Sequence, residues 1–483
     1  MYLLTNIFLN FLICFSYIPP EDSTKTIIPT FLGNETRNYY GNEAPEKLEV
    51  IWKTNLGCGK TIIPNITWDT AIMCGAGWTG QALIMEDNGE IFLIQGAYDY
   101  NLRKLRASDG KVIWEYAFDD VIKGTGCIWI NPLKSRDDPD RIVIFQGSRR
   151  GYNYQLYDKY IWSYRAISFR TGKELWRYNS VRSDSFSRDV DGTALILDDT
   201  IFLGLETGHF VKLNPNPDSA KTIDKFKQPV EFLKLQLYTK EDDIAHNHNV
   251  VTESAPCILR NHIYITSGSG YVFGYNRKTG LLDFKFKTGS DMDGSPVVTR
   301  DSCILISIEK QYINGHGGAM LIDPSKHADS CVVWFFPTGN NVFTDWRGGI
   351  IGSCATNDKY VHAEHNSLSA FVAIDGFLYV VENDFTNPDD SVLGPDNIKK
   401  YKTPQLVFKY NTGISISTPI FTENRLIVLT YDGLFMFEYN DQCIFKLLEK
   451  NTSIRGEATP VVHNKRLYVA SRDGFLYCIG KKD

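Results

Sequence analysis

Residues 254–289 read SAPCILRNHIYITSGSGYVFGYNRKTGLLDFKFKTG. Four short apolar runs follow one another, separated by Asn-containing, Ser-Gly and Thr-Gly turns, and apolar and polar residues alternate within the runs. A period of two puts successive side chains on opposite faces of a strand, and the three-and-four spacing of an amphipathic helix is weak here and elsewhere in the chain. The stretch reads as four antiparallel strands joined by tight turns.

The same unit recurs along the chain. Its closing phrase is a pair of apolar residues, an aromatic and then polar residues. It appears as VIWKTN at Trp52, VIWEYA at Trp114, ELWRYN at Trp176, VEFLKL at Phe232, LDFKFKTG at Phe284, VVWFFPTG at Trp334, LVFKYNTG at Phe408 and CIFKLL at Phe445. Eight copies of a four-stranded antiparallel unit predict an all-β, eight-bladed β-propeller. The first copy has no three strands before it, whereas the last segment, TPVVHNKRLYVASRDGFLYCIG at 459–480, has three strands and no fourth. The strand near Leu48–Asn55 is expected to complete that last blade and remove a free sheet edge. The propeller then spans residues 47–483, after a polar, irregular lead-in at 21–46.

Composition suits this reading. Of 483 residues, 43% are hydrophobic and 13% aromatic, enough for an extensive core rich in strand formers. The formal charge of −6 leaves no basic footprint for nucleic acid or an anionic membrane. Residues 1–20 carry no charged side chain and are apolar over Ile7–Ile18. They read as a secretory signal peptide or a membrane anchor, so the expectation is an exported monomer, periplasmic, secreted or lumenal, that meets a membrane only through that segment. No later apolar run approaches the ~20 residues that span a bilayer. Ten cysteines suit an oxidising compartment, but Cys257, Cys303, Cys331, Cys443 and Cys478 lie in strand-like runs where a thiol acts as a small hydrophobe. No C-x-x-C occurs, and the pairing stays open. NLGCGKT at 55–61 has Thr54 where a P-loop needs its first glycine, and no G-x-S-x-G or H-E-x-x-H is present, so nucleotide and hydrolase readings have no anchor.

The phrases DGKVIWEY, TGKELWRYN and SRDGFLYCIG resemble the repeats of the PQQ-like (quinoprotein alcohol dehydrogenase-like) propeller superfamily over about residues 47–480. The resemblance implies that Trp114, Trp176 and Trp334 pack between neighbouring blades. It is specific for fold and poor for function, since the superfamily holds quinoprotein dehydrogenases, BamB-type assembly scaffolds and lumenal stress sensors. In many of the dehydrogenases PQQ lies between a Trp face and a disulfide of adjacent cysteines, beside Ca²⁺. This chain has no adjacent cysteines and no C-x-x-C-H. The resemblance therefore points to the non-enzymatic branch: a binding or scaffold module, with no PQQ expected and no catalytic residue assigned. A PQQ- and Ca²⁺-dependent oxidoreductase, and a peptide-binding assembly factor or sensor, are the alternatives.

SFSRDVDGTALI at 185–196 and TGSDMDGSPVVT at 288–299 share an Asp-x-Asp-Gly corner just before an apolar strand. Asp189 and Asp191 precede blade 3, Glu253 precedes blade 4, Asp291 and Asp293 precede blade 5, and Glu457 precedes blade 8. In a propeller such corners ring the axis on the upper face, so five carboxylates from three consecutive blades converge on one side of the mouth. Converging hard oxygens suit Ca²⁺ or an amine. Asp191, Glu253 and Asp293 would be ligands, and imidazoles from His246, His248 and His365 (in HAEHN, read as the loop before blade 6) would shift the choice toward a transition metal. The alternative is that these acids accept backbone N–H bonds in tight corners, with glycine completing the turn. Two insertions, at 147–164 and 309–318, carry Arg149, Arg150, Lys310 and Gln311 among aromatics, and read as an upper-face surface for a protein, peptide or glycan.

Overall fold

The computed structural model describes residues 24–62 and 70–482; the expected signal peptide or anchor lies outside them. The quoted stretch forms strands Cys257–Leu259, His262–Ser267, Tyr271–Asn276 and Leu281–Lys287, hydrogen-bonded in that order and antiparallel throughout. Eight such four-stranded blades are described, one of them extended to five strands by Lys25–Ile28, giving an eight-bladed β-propeller whose blades 1 to 8 begin at Leu83, Cys127, Leu195, Cys257, Val297, Ala355, Ile420 and Val461. The eighth blade takes Val461–His463, Arg466–Ala470 and Phe475–Gly480 from the end of the chain and Glu49–Asn55 from its beginning. That pairing closes the ring and covers the edge an open array would expose. Among the described residues the only α-helix is the single-turn Lys240–Ala245, capped by Thr239.

The aromatic phrase and the glycine turn are two halves of one joint. Trp52 Nε1 donates to the Ala107 carbonyl of the next blade, Trp114 Nε1 to that of Phe169, and Trp176 Nε1 to that of Pro215. Each of the first two indoles lies against the glycine of its neighbour's last turn: a Cβ on Gly110 would sit 2.5 Å from the Trp52 ring, and one on Gly172 2.8 Å from Trp114. Both glycines also have positive φ, which other residues adopt only at a cost. Trp176 and Trp334 are fully buried and Trp114 partly so.

Two segments depart from the regular repeat. Blade 6 has a long third strand, Phe377–Leu393, and a long fourth, Lys400–Asn411. Their far end curls over blade 5, where Val392 and Tyr401 pack on its core and the Pro395 carbonyl accepts from Gly315 N. The second segment is residues 24–43. Strand Lys25–Ile28 pairs with the innermost strand of blade 1, Leu83–Asp87. The chain then turns through the axis, and Ile128, Ile258, Val298 and Val462 of blades 2, 4, 5 and 8 donate their backbone N–H to the carbonyls of Pro29, Glu35, Thr36 and Tyr40. These inner-edge groups would otherwise need water in a narrow channel. Arg37 locks the plug: its fully buried guanidinium donates to the carbonyls of Phe31, Ala194 and Pro256 and to Thr30 Oγ1. The plug leaves at the lower face, where Tyr39 and Tyr40 stack on Tyr360. The upper mouth is thus a funnel with a closed floor.

Candidate functional site

Every blade is entered through the same corner. Its lead residue is Thr79, Lys123, Asp191, Glu253, Asp293, Ile351, Ile416 and Glu457 in blades 1 to 8, followed by a small residue and then, in most blades, Ser or Thr. The small residue is required because successive corners touch. A Cβ on Gly124 would lie 2.0 Å from the Asp191 carbonyl oxygen, and one on Gly352 2.3 Å from that of Ser417. The hydroxyl then joins corner to corner: Thr125 Oγ1 accepts from Gln81 N, Ser295 Oγ from Ala255 N, Ser353 Oγ from Ser295 N and Thr418 Oγ1 from Ser353 N, at 2.7–3.0 Å. Glycine and hydroxyl hold the ring together, which leaves the lead side chain free to vary.

That freedom is used asymmetrically. Ile351 and Ile416 cluster with Trp78 and Ile374, covered by Phe343 and Trp346 of a hairpin, Asn340–Phe343 and Trp346–Gly348. Glu457 is fully engaged, accepting from Tyr98 at 2.6 Å and from Tyr431, with Arg472 at 3.6 Å. Charge in excess is confined to blades 3–5. One carboxylate oxygen each from Asp191, Glu206 and Glu253 lie within 4.8 Å of one another, as do those from Asp291, Asp293 and Glu309. Either triad has the hard donors that could hold a metal ion. Glu206 Oε1, Asp291 Oδ1, Glu309 Oε1 and the nearby Asn249 Oδ1 are buried with no hydrogen-bond partner. In the first triad Lys123 pairs with Asp191 and stands 3.9 Å from Glu253. Asp189 accepts from Arg149 Nε at 2.7 Å and from Arg150 N at 2.9 Å, and Arg149 also donates to Thr61.

The electrostatics follow from burial among like charges. Burial, with Asp191, Glu253 and Asp189 adding, holds Glu206 well above the usual carboxylate range. Burial, Glu309 and Glu253 do the same to Asp293, and burial and Asp291 to Glu309. Glu253 is pushed up to about 7 by burial, with Lys123 opposing and Asp191 adding, and burial raises Asp291 to about 6 against its bond from Asn249. Burial also opposes ionisation of Asp189, but Arg149 outweighs it and the carboxyl stays below its ordinary value. Lys123 is likewise held charged, its burial outweighed by Asp191 and Glu253.

Several expected residues lie elsewhere or act differently. HAEHN is not the loop before blade 6. It joins that blade's first and second strands, Ala355–Thr356 and Leu368–Val372, which puts His365 on the lower face, where it meets Asp441 at 3.5 Å. His246 caps the short helix, bonds the Gly268 carbonyl and stacks on Tyr312, and His248 bonds Asp243; neither imidazole belongs to a carboxylate triad. Arg149 and Arg150 are buried rather than displayed, and Lys310 Nζ donates to the Gly315 carbonyl. Gln311 bonds through its backbone N to Ser290 Oγ. Reading the sequence missed Lys123, Glu206, Glu309 and Asn249. Glu206 and Glu309 stand at one repeated position, the first after the second strand of blades 3 and 5, and that register is the signal that would have found them.

By fold the chain is an eight-bladed β-propeller. Among solved structures it is similar to BamB from Moraxella catarrhalis, with 14% identity and a TM-score of 0.52 over 89% of this chain and 100% of that one. It is similar too to a europium-containing methanol dehydrogenase, with 12% identity and a TM-score of 0.54 over 92% of this chain and 89% of that one. No protein-family model matches the sequence, and no curated protein matches it.

Proposed function

We propose that the chain is an exported, monomeric binding propeller whose upper mouth captures a cationic ligand at blades 3–5, without chemistry on it. The observation that carries this reading is the set of buried carboxylate oxygens that have no partner. A desolvated carboxylate is costly unless a proton or a cation joins it, and the fold offers seven acids there against Lys123 and Arg149. Ca²⁺ and a ligand ammonium both suit such a set. A protein, peptide or glycan partner would dock over the same face, and nucleic acid has no basic surface to meet. The BamB-like fold agrees with scaffold use, and the Cys58–Cys74 disulfide agrees with an oxidising, exported setting.

The residues at the mouth do not fit PQQ. The disulfide joins cysteines 16 residues apart rather than neighbours, and Trp78, 5% exposed, is packed under Phe343 and Trp346 of the hairpin between blades 5 and 6. The test is thermal melting of EDTA-treated protein with Ca²⁺, Tb³⁺ and a lysine-containing peptide. A ligand at a hundred times its Kd adds about 2.7 kcal/mol, so at least one cation should raise Tm in the wild type and not in Asp293→Asn/Glu309→Gln. If no cation moves the wild-type melt, the reading fails.

A further inference from the structure

Blades 3 and 5 repeat the same pair of carboxylates. Asp191 and Asp293 lead equivalent corners, and Glu206 and Glu309 follow equivalent second strands. The two triads differ in what the preceding blade brings. The lead residue of blade 2 is Lys123, whose ammonium enters the first triad and pairs with Asp191. The lead residue of blade 4 is Glu253, and among the ion pairs of the described residues none reaches Asp291, Asp293 or Glu309. The fold therefore exhibits, in one triad, the kind of cation that the other is shaped to take.

Two further observations mark the second triad as a ligand site. Asp291 Oδ1 and Glu309 Oε1 are unpartnered on residues 5% and 1% exposed, and Asn249 Oδ1 beside them is unpartnered too. Asn249 Nδ2 donates to Asp291 Oδ2 at 2.6 Å, so its amide oxygen is the end left to accept from a ligand. Beside the triad stands Tyr312, 43% exposed and stacked on His246 at 4.5 Å. An aromatic wall beside carboxylates is the setting in which an alkylammonium gains both charge pairing and contact with a ring face. A compact ammonium has three donors, and Asp291, Glu309 and Asn249 present one unpartnered acceptor each.

We propose that Asp291, Asp293, Glu309 and Asn249, with Tyr312 as a wall, bind the side-chain ammonium of a lysine presented by a partner peptide. This rests on the reading of the mouth as a cation site and names the ligand class. The probe is the pentapeptide Gly-Gly-Lys-Gly-Gly, blocked at both ends, against its Nε-acetyl form, followed by calorimetry on the full propeller with Ca²⁺ as a separate titrant. The lysine peptide should bind, and Nε-acetylation or Asp293→Asn/Glu309→Gln should each weaken it at least about 30-fold, the loss expected when one side of a buried charge pair is removed. Tyr312→Ala, which leaves the carboxylates in place, should weaken it about 3-fold or more. Acetylation needs no variant to fold, so the comparison stands if the double variant does not. Equal binding of the two peptides overturns the inference. So does Ca²⁺ binding that depends on Asp293 and Glu309 without lysine binding, an outcome that leaves the cation mouth standing. Silence from every titrant overturns both.

Discussion

Replacing Glu253 with glutamine should stabilise the ligand-free protein at neutral and alkaline pH. Glu253 belongs to the first triad, its side chain only 12% exposed, and its pKa rises from an ordinary 4.5 to about 7. A raised acid binds its proton more tightly in the folded chain than in the unfolded one. Its contribution is therefore full below about 4.5 and is lost as pH climbs through about 7, above which the folded state carries an unfavourable charge. A shift of that size corresponds to about 3 kcal/mol at 1.36 kcal/mol per unit, with the pull of Lys123 already included. Glutamine keeps the shape and cannot ionise. At about 2 cal/mol/K of unfolding entropy per residue, a propeller of this length should gain about 3 °C in Tm. Differential scanning of EDTA-treated wild type and Glu253→Gln from pH 4.5 to 8 is the assay. The expected result is coincident melts at pH 4.5, divergence between pH 5 and 7, and a plateau above. A variant that melts lower at pH 8, or a gap that does not change with pH, would show that Glu253 is ionised and satisfied, and would refute the reasoning.

Three other outcomes follow from the architecture. Gly124→Ala puts a Cβ 2.0 Å from the Asp191 carbonyl oxygen and should cost about 3 kcal/mol or more, read as a fall in denaturant midpoint, whereas Gly89→Ala, with open space around its Cβ, should cost only the strain of its positive φ. Arg37→Met leaves the carbonyls of Phe31 and Pro256 without their buried donor and that of Ala194 with Thr30 Oγ1 alone. It should cost about 3–5 kcal/mol and expose residues 24–43 to limited proteolysis before the blades are cut. In a non-reduced digest Cys58 and Cys74 should appear as one linked peptide. Native alkylation should reach the partly exposed Cys443 before the buried Cys127, Cys257, Cys303 and Cys354.

The fold was legible because its joints are written in residue types with few substitutes. An indole that bonds the next blade, and a glycine that receives it, recur often enough to count blades and to predict that Glu49–Asn55 closes the eighth. The plug was not legible as one. Residues 24–43 carry no period, since only Lys25–Ile28 is a strand and the remaining bonds are made by the inner edges of distant blades. The site was half legible. Asp189, Asp191, Glu253, Asp291 and Asp293 do gather at the mouth, and glycine and hydroxyl account for the corner without them. Lys123 was hidden because KGTG lacks the acid that marks its equivalents, and alignment by chemistry passes over a position whose charge is reversed. His365 was misplaced because a long first connection in blade 6 looks, in sequence, like the approach to a blade. In the structure the strand before it is only Ala355–Thr356, too short to announce itself.

On the proposed function, the acids of blades 3–5 hold protons that a cationic ligand displaces. The most direct measurement is proton release in weakly buffered solution at pH 6, near the raised value of Asp291 and below that of Glu253, on addition of the lysine pentapeptide and, separately, Ca²⁺. Saturation by a cation should release about one proton or more per chain, and none from Asp293→Asn/Glu309→Gln. If no cation releases protons from the wild type, or the double variant releases as many, the mouth is not a cation site.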